Sequence, residues 1–103
     1  METETAFAVR TVPDATLQAL ETVNYIKHLI KAIIILRDTY EKTTWSVSSN
    51  DTNIETRRLL ETLKDGIKAA KHELLEVGYP NSSVESLMRI STDKLAEEHG
   101  IEL

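Results

Sequence analysis

The chain has 103 residues, 41% hydrophobic and 28% charged, enough for one modest core and too apolar for a disordered polypeptide. Seventeen acids against twelve Lys and Arg leave a formal charge of -5, which repels nucleic-acid phosphate and anionic membrane wherever bases are not locally clustered. The absence of cysteine excludes disulfides, thiolate metal ligands and thiol chemistry.

Residues 1–10 begin with Glu2 and Glu4 and hold no basic segment leading into an apolar run, so they do not read as a secretory leader. The longest apolar stretch, residues 29–36, is broken by Lys31 and falls far short of the ~20 residues of a membrane span. A cytoplasmic protein with no membrane partner is the expectation. Residues 1–12 read as an extended arm and residues 13–103 as one helical domain. Thr5 to Val12 are partly β-branched, and Trp45 and Val47 alternate with polar neighbours, so short strands at 5–11 and 44–48 are the alternative. An isolated two-stranded ribbon is marginal in water, which favours an arm packing Phe7 and Val9 on the bundle or on a second chain.

Pro13 and Asp14 suit the first turn of a helix. From there Ala19, Val23, Ile26, Ile30, Ile33 and Tyr40 step by three and four, and Leu20, Leu29, Ile34 and Leu36 widen the stripe. The helix is expected to end near Lys42 or Thr43, where the polar run TTWSVSSNDTN reads as a connection. A second helix, capped by Asp51, Thr52 or Asn53, carries Leu60, Leu63, Ile67, Ala70, Leu74 and Val77, and Gly78 with Pro80 stops it. Ser82 and Glu85 have capping-box spacing ahead of a third stretch with Val84, Leu87, Met88 and Leu95 facing inward. Ser91-Thr92-Asp93 leaves open whether that stretch is one bent helix or two. The fold class is therefore all-α: an elongated antiparallel bundle of three to four helices, two long and one or two short, with an extended N-terminal arm.

Around residues 29–36 the apolar arc outgrows a single stripe, because Ile35 falls opposite Ile26, Ile30 and Ile33, beside Tyr25 and Ala32. Either the third helix or a second copy of the chain covers this face. Contiguous exposed apolar patches are uncommon on monomers and two-fold dimers are the commonest oligomers, so a homodimer is expected. Tyr25, Leu29, Ala32, Ile35, Leu36 and Trp45 are the candidate protein-contact residues.

Sites for chemistry are weak by comparison. His28, His72 and His99 fall on different helices, and although His72 with Glu76 shares a helix face that His99 and Glu98 could complete, a solvated face is the better reading, so no metal and no cofactor is expected. The stretch AAKHELLEVG around His72 resembles the phosphotransfer domains of bacterial signalling, which would imply a phosphoryl acceptor at His72. Those domains favour lysine and glycine shortly after the histidine, whereas Glu73 and Glu76 flank it here and repel a phosphoryl group. Gly66, Gly78 and Gly100 are too scattered to cradle a phosphate. Arg57, Lys64, Lys68 and Lys71 form a basic stripe that a nucleic acid would use, diluted by Glu61, Asp65 and Glu73. The tail STDKLAEEHGIEL resembles the first helix of a helix-turn-helix unit, for which a recognition helix would have to follow Leu103.

The functional expectation is a small non-enzymatic protein-binding module, of the kind found among bacterial and phage accessory proteins such as inhibitors, immunity proteins and assembly factors. It would act by helix-surface docking on an unidentified protein as well as on itself. The alternatives are a dimeric nucleic-acid-binding regulator working through Arg57, Lys64, Lys68 and Lys71, and a small helical enzyme or phosphotransfer protein.

Overall fold

The computed structural model describes residues 14–46 and 53–103, which form four helices and, among those residues, no strand. They are α1 (Asp14–Ser46), α2 (Ile54–Glu76), α3 (Asn81–Arg89) and α4 (Thr92–His99). The expected N-terminal arm, with Phe7 and Val9, lies outside the described residues, as do residues 47 and 48 of the second conceivable strand.

Helix α1 outruns its expected end by about one turn, so Trp45 belongs to its last turn and not to a connection. The polar residues there do not break the helix, because they bond back onto it: the Thr39 and Thr44 hydroxyls donate to the Ile35 and Tyr40 carbonyls, each at 2.8 Å. This pattern lets Thr satisfy its hydroxyl inside a helix without competing for the backbone of another conformation. Residues 44–46 are accordingly helical and form no strand.

Asn53 caps α2, its side-chain oxygen accepting the Glu55 and Thr56 amides at 2.8 and 3.4 Å. At the other end Gly78 adopts φ 88°, and the Tyr79 amide turns back to the Leu74 carbonyl at 3.0 Å, closing the helix with a left-handed residue that a side chain would strain. The capping box expected from Ser82 and Glu85 does not form. Pro80 is the cap residue, with no side-chain cap bond, and Ser82 already lies inside α3. Proline's fixed φ delivers the chain straight into the first turn, where the Val84 amide reaches the Pro80 carbonyl at 3.0 Å. Ile90 then turns extended, and the Ser91 hydroxyl accepts the Lys94 amide at 3.4 Å, so the last segment is two helices.

Helices α1 and α2 run antiparallel, with Gly66 beside Leu36 and Glu73 beside Tyr25. A Cβ on Gly66 would stand 3.2 Å from Leu36 Cδ1, so this glycine permits a close approach of the two helices. Helices α3 and α4 pack across the other flank of α1, tied by the Arg37 guanidinium, which donates to the Leu87 and Ile90 carbonyls. The shared core holds Leu29, Ile30, Ile33 and Ile34 of α1, Ala70 and Leu74 of α2, Val84 and Leu87 of α3, and Leu95 and Ala96 of α4. The bundle is long for its mass, 66 × 31 × 24 Å, as the helix lengths anticipate.

One part of the expected stripe stays outside this core. Helix α2 ends at Glu76, about one turn past its contact with Tyr25, and every residue from 14 to 25 is exposed. Ala19, Leu20 and Val23 carry the right spacing but no other described residue buries them, so the first ~16 Å of α1, ahead of Tyr25, stands clear of the core.

Candidate functional site

Two surfaces collect the residues singled out from the sequence. The first is the face of α1 turned away from its neighbours. Ile35 remains 39% exposed and Tyr25 42%, because α3 and α4 settle on the flank marked by Arg37 and leave the Ile35 side open. His28, Lys31, Ala32, Ile35 and Leu36 line a hollow of about 370 Å³ on that side. Leu36 is half-buried against Gly66, and Leu29 lies in the core at 8% exposure, so neither offers its side chain freely to a partner. Trp45, at 88%, stands well apart at the far end of the helix.

The Tyr25 hydroxyl donates to Glu73 Oε2 at 2.9 Å. That bond holds the phenol above the ordinary tyrosine range, with desolvation and the negative charge of Glu73 acting in the same direction. Further along, Lys42 pairs with Asp38 at 2.8 Å, one turn away, and the bond to that carboxylate raises the Lys42 ammonium.

The second surface is a trough along α2. One hollow of about 230 Å³ is lined by Tyr40, Arg57, Leu60, Glu61 and Lys64. It runs on, through Glu61 and Lys64, into another of about 440 Å³ that reaches Ile67, Lys68, Lys71 and Met88. The floor is made by the half-buried Tyr40, Leu60, Ile67 and Met88, drawn from three helices. The four bases of the sequence stripe, Arg57, Lys64, Lys68 and Lys71, therefore share one wall. Glu61 and Asp65 stand among them, which weakens any field directed at a phosphate backbone.

The groups weighed for chemistry do not converge. His72 Nε2 lies 3.4 Å from Glu76 Oε1 with both side chains largely exposed, a solvated pair at one helix end. Among the described residues no three His, Asp or Glu side chains gather as a metal site. His99 lines a hollow of about 340 Å³ with Lys27, Lys31 and Ile101, a lining that does not include His72. No helix among the described residues is long and apolar enough to cross a membrane.

Comparison with protein families, curated proteins and solved structures finds no match. The surfaces themselves carry the functional reading.

Sequence reasoning missed the projecting segment of α1, where Leu17 is 40% exposed, Leu20 55% and Val23 45%. It assigned Leu20 and Val23 to the buried stripe. The signal was a length mismatch: a helix starting at Asp14 is longer than one ending near Val77 can cover, whatever the spacing of its apolar residues. It also missed the trough floor, since neither Tyr40 nor Met88 belongs to α2.

Proposed function

We propose that this chain is a non-enzymatic protein-binding module of the accessory-protein kind, an inhibitor, immunity or assembly factor, which docks through the surfaces of its helices. The observation that supports this reading is the open face of α1, where Ile35 stays 39% exposed beside Ala32 and His28 although two further helices pack on the same element. Exposed apolar area next to a hollow is what a partner's side chain fills, and the charge of Lys31 at its edge supplies a rim that selects orientation. Tyr25 and Ala32 extend the contact along the helix.

The test is the substitution Ile35→Glu. The variant should keep its far-UV helical signal and its unfolding midpoint, because an exposed position away from the core moves stability by only ~0.5 kcal/mol. Proteins retained by the immobilised wild-type chain should no longer be retained. Equal retention by the variant would refute the assignment, and loss of helical signal would show that Ile35 belongs to the core.

The alternative of a nucleic-acid regulator has one observation in its favour, the shared wall of Arg57, Lys64, Lys68 and Lys71. It requires binding to duplex DNA that weakens steeply with salt and is lost in Lys64→Glu/Lys68→Glu.

A further inference from the structure

The projecting segment of α1 and the trough along α2 are complementary. Residues 14–25 hold two acids, Asp14 and Glu21, and no Lys or Arg. Leu17, Leu20 and Val23 follow Asp14 at three-residue steps, sweeping half-way round the helix, and Glu21 lies one turn beyond Leu17, so the two acids border the Leu17 edge of an apolar face that no other described residue covers. The trough presents the converse: an apolar floor under a wall of four bases and two acids.

Dimensions agree as well. Seven residues, about 10 Å of helix, separate Asp14 from Glu21, and the same interval separates Arg57 from Lys64 and Lys64 from Lys71. The segment spans ~18 Å and the wall from Arg57 to Lys71 ~21 Å.

A chain cannot satisfy this match by itself. With Gly66 level with Leu36, the trough lies near the C-terminal end of α1, some ~25 Å from Leu20 along one unbroken helix.

We infer that the projecting segment of α1 seats in the α2 trough of a second copy, and that the second copy returns the contact. Two rods laid antiparallel about a two-fold axis place each segment at the level of the other's trough, and the reciprocal pair closes without leaving ends for further growth. Leu17, Leu20 and Val23 enter over Leu60, Ile67 and Met88. Asp14 and Glu21 face the basic wall. Two such contacts hide on the order of 1,000 Å² in total, the lower range for a specific interface, so the dimer is concentration- and salt-dependent. It uses neither Ile35 nor Ala32, and so stands independently of the docking face proposed above.

The experiment is sedimentation of the full chain across a concentration range, at low and high salt. Wild type should approach twice the 11.6 kDa chain mass as concentration rises, and the transition should shift to higher concentration in added salt. Leu17→Ser/Leu20→Ser, in a segment that supports no core, and Lys64→Glu/Lys68→Glu, on an exposed wall, should each hold the chain at the monomer mass with helicity retained. An equimolar mixture of the two variants should regain mass, because one intact segment can still meet one intact trough. Ile35→Glu should dimerise like wild type. A wild type that stays at 11.6 kDa throughout would overturn the inference, as would a dimer that survives both double variants. A dimer that Ile35→Glu alone dissolves would place self-association on the open face of α1 instead.

Discussion

Replacing Leu74 with alanine should lower the free energy of unfolding by ~3–5 kcal/mol, whereas Leu75→Ala, one residue on, should lower it by less than ~1 kcal/mol. Leu74 has no exposed surface and belongs to a cluster fed by all four helices, while Leu75 is 37% exposed. Truncating Leu74 removes buried methyl groups and leaves a void in a closely packed cluster that relaxes only in part. Against the ~5–15 kcal/mol by which domains of this size are stable, that is a large fraction. Urea unfolding followed by far-UV circular dichroism measures both. Similar losses for the two variants would mean that α2 presents a different face to the core.

Arg37→Met should lower the free energy of unfolding by ~2–3 kcal/mol. The Arg37 side chain is 14% exposed, and one of its nitrogens donates to both the Leu87 and Ile90 carbonyls, the latter at 2.8 Å. These acceptors sit where α3 ends and the chain turns towards α4, so the guanidinium serves as a cap supplied by another helix. Its other nitrogen lies 3.5 Å from Glu41 Oε1, and Glu41 Oε2 accepts the buried Thr92 hydroxyl at 3.3 Å. Methionine retains the packing of the stem and strands the carbonyls, so the loss isolates the hydrogen bonds. Arg37→Lys should recover only part, because a single ammonium cannot reproduce the fork of donors that reaches α3 and Glu41 together. The same urea titration decides it, and a full rescue by lysine would mean that charge alone holds α3 in place.

Much of the fold was legible because its signals are local. The three-and-four spacing of Leu63, Ala70 and Leu74 identifies the buried side of α2, and Gly78 marks its end through a conformation that only glycine adopts freely. Arg37 shows what such spacing cannot convey. It stands four residues beyond Ile33, where the stripe calls for an apolar side chain, and the carbonyls it ties lie fifty or more residues away in sequence. The failed Ser82 cap has a related origin, since two competent entry residues, Pro80 and Ser82, compete and backbone geometry chooses between them. The open Ile35 face was legible as a second apolar side, but which flank α3 and α4 would choose depends on how Arg37 ties them down. The trough was beyond reach for the same reason: Tyr40 and Met88 join Leu60 and Ile67 only after three helices have packed.

The unsupported start of α1 has a consequence for how firmly its backbone is held. A short stretch of helix is marginal in water by itself, so residues 14–25 persist because the turns from Ile26 onward, gripped by the core, supply the nucleus from which they propagate. Amide hydrogen exchange should accordingly run as a gradient down a single helix, fast at Leu17 and Leu20 and slowest at Ile33 and Ile34, where opening requires the whole domain to unfold. Anything that seats on the first three turns will be recorded in those amides as slowed exchange, at a distance from the core that leaves the rest of the pattern unchanged.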